Sequence, residues 1–266
     1  MNALPDLPSA NMVTSLSLDL PVLMYHHLEQ DGAVITPYAV HASLFASQLD
    51  ILKKARFVAL SFQELFAALD GKRTLPERAV VITFDDGYES FREFALPALL
   101  AHAMTATVFV VASEIGGINR WDLPEGFPQR PLMNEAALKE IVAAGMEIGS
   151  HGWAHRDLTA CAESELAEEF VQSRQEIRRR LDVRADVFSY PYGRYSRRHL
   201  PLLAQAGYRG AVTIFSDEPT VTHSPYAMRR VLVHDGDTAW RFRLKLSPLY
   251  LRYVAWRDRK AGGPKP

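Results

Sequence analysis

The stretch Ala79-Val80-Val81-Ile82-Thr83-Phe84-Asp85-Asp86-Gly87-Tyr88 is apolar almost without interruption, then ends on two carboxylates and a glycine. A strand that does not alternate polar with apolar is covered on both faces, and such strands belong to parallel sheets flanked by helices. Further short β-rich runs occupy 21–25, 57–60, 105–111, 146–148, 187–190 and 210–213. Helical patterns fill most of the gaps. Leu44, Phe45, Leu49 and Leu52 share one helical face, and Leu166, Phe170, Ile177 and Leu181 share another on a segment rich in Glu and Arg. In Ala144-Gly145-Met146 and Ala206-Gly207-Tyr208 a glycine stands where a helix takes a left-handed cap before the next strand. The repeat of helix, glycine and strand predicts an α/β fold with a parallel sheet.

At 266 residues the chain matches one α/β barrel, and 48% hydrophobic with 23% charged residues excludes a disordered polymer. A formal net charge of -1 gives no overall basic field, so no nucleic acid is expected as a partner. Cys161 is the only cysteine, which excludes an intrachain disulfide, so any metal has to be held by His and carboxylates. The first twenty residues lack the basic start and continuous apolar core of a secretory signal. No run reaches the length of a membrane span, and the expected location is cytoplasmic. Residues 114–133 form a Gly/Pro-rich excursion too long for an ordinary connection, of the kind that overhangs binding sites.

Asp85 and Asp86 stand where the apolar strand ends. Two adjacent carboxylates there repel one another and lose hydration, and a cation offsets both costs. One of them can ligate that cation while its neighbour accepts a proton. An isolated Asp-Gly is a common turn signal, so the second motif matters. Gly149-Ser150-His151-Gly152-Trp153-Ala154-His155 also follows a short strand, and two His four apart are expected on one side of a helical turn, reaching one ion. Two His and one carboxylate leave a position open for water, as in catalytic zinc sites.

In order along the chain, TFDDG (83–87), SHGWAH (150–155) and FSYPYG (188–193) resemble the motifs of the polysaccharide deacetylases of the NodB-homology type, carbohydrate esterase family four. VLMYHHL (22–28) and AGMEIGSH (144–151) are most similar to the branch that deacetylates poly-N-acetylglucosamine. The resemblance covers 21–246 and implies a distorted (β/α) barrel of about seven parallel strands, with its site at their C-terminal ends. Residues 1–20 are then an N-terminal extension and 247–266 a basic aromatic tail. The resemblance implies Asp85 as general base and Asp86, His151 and His155 as ligands of a divalent metal. Zn2+ suits those donors, and Co2+ or Ni2+ would also fit. Tyr192 is implied as the source of a backbone N–H for the oxyanion and of an aromatic wall. The expected reaction is hydrolysis of N-acetyl groups from N-acetylhexosamine units of a glycan or glycolipid, with metal and base activating water.

Two departures stand out. Many members carry an Arg in the third motif that pairs with the catalytic Asp; Ser189 occupies that position here, leaving Arg229 or Arg230 to orient Asp85. The later Asp-x-x-Asp-Trp pattern is absent, with only Ser216-Asp217-Glu218 near its place. His234, within Val231-Leu232-Val233-His234-Asp235, resembles the leucine-histidine motif and is expected to protonate the leaving amine, with His26 or His27 as alternatives. His26, Trp121, Asp122 and Trp153 are the remaining candidates for sugar contact. A deformylase or cyclic-amide hydrolase would use the same groups, and a non-catalytic glycan-binding barrel is the rival from another class. The stretch 240–260 interleaves Arg and Lys with Trp, Tyr, Phe and Leu, which fits either peripheral contact with an anionic membrane or a final barrel helix followed by a basic tail.

Overall fold

The computed structural model describes residues 20–33, 36–214 and 225–260. Residues 1–19 of the expected extension and Ser216-Asp217-Glu218 lie outside the described residues. The strands are β1 (Val22–Tyr25), β2 (His27–Glu29), β3 (Ala39–His41), β4 (Val58–Ala59), β5 (Ala79–Phe84), β6 (Thr107–Val110), β7 (Glu147–Ser150), β8 (Val187–Ser189), β9 (Gly210–Thr213), β10 (Met228–Arg229) and β11 (Val231–Leu232). The helices are α1 (Ala42–Lys54), α2 (Phe62–Leu69), α3 (Leu96–Ala101), α4 (Glu135–Ala143), α5 (Glu163–Ala167), α6 (Ser173–Leu181), α7 (His199–Gln205), α8 (Ala239–Lys245) and α9 (Pro248–Lys260).

The main sheet runs β10-β9-β8-β7-β6-β5-β1-β11, parallel at every pairing. Its two end strands are neighbours in the chain, separated only by Arg230. Met228 and Arg229 pair with β9, while Val231 and Leu232 pair with β1, so this one stretch closes the ring. Counted as one stave, it makes a barrel of seven. The expected strand at 57–60 is not a stave: β4 pairs only with Ala79 and Val80 at the foot of β5.

Alternation explains why these strands are apolar on both faces. Leu23, Val80, Ile82 and Val108 face outward and pack with Phe45 and Leu49 of α1, Leu99 of α3, Leu138 of α4 and Ile177 of α6. Val22, Val81, Phe109, Val187, Val212 and Met228 face inward, where Phe62, Leu65 and Phe66 of α2 plug the foot of the barrel. The half-buried carboxylate of Glu147 holds that plug by accepting from the backbone N–H of Phe62 (2.6 Å) and Gln63 (2.9 Å). Gly145 and Gly207 have φ of 88° and 87°, as their capping positions require. Residues 248–260 of the expected tail form α9, which is tied to the barrel by a buried ion pair between Arg229 and Asp258.

Candidate active site

Above the apolar plug, several inward rows of side chains continue into a cleft at the C-terminal ends of the strands. Ala79 and Val81 are followed by Thr83 and Asp85, Val22 by Met24 and His26, Val187 by Ser189, and Met228 by Arg230 and Leu232. Asp85, His26 and Arg230 therefore face one another although they come from distant parts of the chain.

Arg230 grips Asp85 through two parallel bonds, Nη1 to Oδ1 at 2.6 Å and Nη2 to Oδ2 at 2.7 Å. It also donates to Ser189 Oγ (2.9 Å) and Thr83 Oγ1 (3.3 Å), and all four side chains are buried. Burial works to raise the Asp85 pKa, but the charges of Arg230 and His151 prevail and hold the carboxyl well below the usual range. Of the two arginines open to this role, Arg230 takes it. Arg229 points the other way and pairs with Asp258.

Asp86 turns away from its neighbour at a φ of 72°, a region that non-glycine residues seldom adopt. Its Oδ1 lies 3.4 Å from Nε2 of both His151 and His155 and has no hydrogen-bond partner. One ligand atom from each of these three buried residues lies within 4.8 Å of the others. His151 Nδ1 sits 2.8 Å from the Ser189 carbonyl, which can only accept, so the ring proton is on Nδ1 and the Nε2 lone pair is turned to Asp86. Burial and the charge of Asp85 push the Asp86 pKa well up, while burial pulls those of both histidines down. Neutral imidazoles around an unsatisfied buried carboxylate oxygen form a donor set that a divalent cation satisfies.

The His pair is not on a helical turn. Residues 151–155 form a loop in which His155 itself has a φ of 56°. Glu169, fully buried, shapes that loop by accepting from the backbone N–H of Trp153 (2.7 Å) and Ala154 (3.2 Å). Gly152 makes room for it, since a Cβ there would lie 2.3 Å from Glu169 Oε2. Glu169 escaped the sequence reading, although it falls on the apolar side of its segment, between Leu166 and Phe170.

The rim is aromatic. Trp121 stacks on the His155 ring at 4.5 Å, and Tyr192, at a φ of 58°, meets the same ring edge-on at 4.7 Å. The long loop does overhang the cleft: Trp121, Asp122 and Phe127 line it, and Tyr88 Oη donates to Asp122 at 3.1 Å. His26 lines the cleft with its ring 4.9 Å from that of Tyr38 and with Nδ1 buried and unpartnered. Burial lowers its pKa to about 4, against the opposing pull of Asp85. His27 also borders the cleft, but it is more buried, packs against Tyr88 and bonds Thr36 Oγ1 (3.1 Å). His234 is exposed and outside the cleft lining, its backbone N–H donating to Asp237 at 2.9 Å. Trp153 packs on the hydrophobic core instead of reaching toward a sugar.

Comparison with known proteins agrees with this geometry. YxkH of Bacillus subtilis (strain 168), which carries a polysaccharide deacetylase name, is 27% identical over 86% of this chain and 76% of its own length. A Staphylococcus aureus (strain MRSA252) protein named poly-beta-1,6-N-acetyl-D-glucosamine N-deacetylase is 26% identical over 76% of this chain and 70% of its own. The structure of the Streptococcus pyogenes deacetylase PplD in complex with acetate shares the fold, with a TM-score of 0.73 at 23% identity, covering 86% of this chain and 98% of that one. The polysaccharide deacetylase family model matches residues 72–211, more than half of the chain and the part that carries Asp85, Asp86, His151 and His155, and the chain belongs to that family.

Proposed function

We propose that this chain is a metal-dependent N-deacetylase acting on N-acetylhexosamine units of a polymeric or lipid-linked glycan, with poly-β-1,6-N-acetylglucosamine as the substrate class. The observation that carries this reading is the trio of Asp86, His151 and His155 beside a second carboxylate, Asp85, that Arg230 keeps ionised. The donor set suits Zn2+, and Co2+ or Ni2+ share the preference. When bound, the cation would polarise the acetamide carbonyl and stabilise the charge that its oxygen gains.

The side chains supply the rest. Asp85 accepts a proton from the water that attacks the carbonyl carbon, and Arg230 keeps the carboxylate aimed into the cleft. The backbone N–H of Tyr192 is the further donor for the oxyanion. His26 lines the cleft and is the better placed of the candidate acids to protonate the leaving nitrogen. With its pKa lowered to about 4 it rests neutral, so it has to collect within the cycle the proton that it delivers. Trp121 and Tyr192 give the sugar ring apolar walls. The names of the S. aureus relatives support the poly-N-acetylglucosamine class.

Acetate release from β-1,6-linked N-acetylglucosamine oligomers, measured with metal content per chain, tests the reading. The metal-loaded parent should release acetate, the chelated protein should not, and Asp85→Asn should keep the metal without turning over. A fully active Asp85→Asn, or a preference for releasing formate from N-formyl sugars, would overturn it.

A further inference from the structure

Eleven large hydrophobic side chains are exposed among the described residues, and five of them, Trp240, Leu244, Leu249, Tyr253 and Trp256, lie in α8 and α9. In α9 they are arranged by helical period. Tyr250, Leu251, Val254, Ala255 and Asp258 fall on the side that meets the barrel, and the buried Arg229–Asp258 pair fixes that side inward. Leu249, Tyr253 and Trp256 fall on the opposite side, 76%, 54% and 54% exposed.

Charge follows the same division. Arg252 and Arg257 are exposed along the two flanks of the outward stripe, and the Lys260 ammonium lies 5.3 Å from the Trp256 ring. Asp258 is the only acidic residue of α9, and it faces inward, paired with Arg229 and Arg257. The outward face of α9 is thus apolar and cationic, and no carboxylate of the helix itself lies on it.

We propose that this face of α9 docks on an anionic lipid surface, with Leu249, Tyr253 and Trp256 in the headgroup layer and the basic side chains against lipid phosphates. Trp and Tyr favour that layer because each ring has an apolar body and a polar tip. Two other occupants fit less well. A second copy meeting the same face across a two-fold axis would set arginine against arginine. A deacetylated amino-glycan stacked on the rings would bring ammonium groups toward the same cations. The inference is independent of the catalytic reading, because it uses no residue of the cleft.

Co-sedimentation with vesicles of phosphatidylcholine alone, or mixed with phosphatidylglycerol, tests it on the full chain. The parent should pellet with the anionic vesicles at low salt, less at high salt, and little with phosphatidylcholine. A Leu249→Ser/Tyr253→Ser/Trp256→Ser variant and an Arg252→Glu/Lys260→Glu variant should each lose on the order of tenfold in binding. Both should retain the parent's turnover of a soluble acetylated sugar. The charge variant keeps the test decisive if the stripe variant does not fold. Equal pelleting of parent and charge variant, or none of the parent with anionic vesicles, would overturn the proposal. So would a lipid-free dimer of the parent that the stripe variant fails to form.

Discussion

The floor and the rim of the cleft are built by different means. On the floor, Arg230 clamps Asp85, the Ser189 carbonyl fixes the His151 ring, and Glu169 shapes the loop that delivers His155. Each group is buried, and the surroundings hold Asp86 and His155 at φ values of 72° and 56°. On the rim, Trp121, Tyr192 and His26 keep their places through ring contacts of 4.5 to 4.9 Å and stay partly open. The floor is over-determined, whereas the rim is adjustable; on the proposed function the first would serve the chemistry and the second the sugar. Substitutions on the floor should therefore end turnover or stability, and substitutions on the rim should be felt mainly in KM.

The sharpest break is Asp86→Ala. Its Oδ1 is the atom shared by both histidines, so the variant should lose bound metal and fall to background turnover together. Elemental analysis and acetate release on one preparation check it; an active, metal-free variant would detach Asp86 from the reaction. Next in size is His26→Ala, expected to lower kcat by about 10² to 10⁴ if this residue protonates the leaving nitrogen. His234→Ala is the control, and with its side chain outside the cleft lining it should change kcat only a few-fold. The reverse ranking would return the role to His234.

Arg230→Met tests the clamp itself. Removing one partner of a buried ion pair costs about 3 to 5 kcal/mol, because the other charge is left uncompensated. In the parent, Asp85 titrates below its unfolded value, so it adds stability above a pH of about 4 and loses it only as pH falls toward the depressed pKa. Without Arg230, burial should raise that pKa above the unfolded value. The sign then reverses: the variant should be relatively most stable in acid and weaken as pH rises. Thermal melts from about pH 4 to 8 should show a level contribution from Asp85 in the parent and a stability that falls with pH in the variant. Parallel slopes would mean that Arg230 does not set the state of Asp85. Glu169→Ala should act one step further out, leaving the amides of Trp153 and Ala154 without their acceptor. Metal affinity should drop by about 10- to 100-fold, as when support behind a ligand is lost. Competition against a chelator dye measures that loss apart from turnover.

What could be read from the sequence was local. Asp85 and Asp86 announce themselves because an apolar strand runs straight into them, and the paired histidines lie within one short motif. The clamp was not legible to the same degree, since it joins residues 145 positions apart. Choosing Arg230 over Arg229 requires knowing that Met228 points into the barrel, and so which stretch closes the ring. The run at 57–60 looked like a strand and is one, yet it pairs only at the foot of β5. The four-residue His spacing fitted a helical turn equally well, because spacing constrains distance and not backbone path. Glu169 left one trace, a carboxylate on the apolar side of an amphipathic segment, where an unpaired acid would be costly.

The smallest expected effect belongs to the rim, and Trp121→Ala isolates it. Trp121 comes from the long loop and meets the floor at the face of the His155 ring. Losing one aromatic stack costs about 0.5 to 1.5 kcal/mol beyond area burial, so KM for an oligomeric substrate should rise up to about tenfold. His155 keeps its Tyr192 contact and its place beside Asp86, so metal content and kcat should stay close to those of the parent. A shorter substrate makes the comparison sharper. If Trp121 binds a sugar ring next to the one being hydrolysed, the KM penalty should vanish on a monosaccharide and grow with chain length. If kcat falls instead, with metal lost, the ring was holding His155 in position, and Trp121 belongs with the floor.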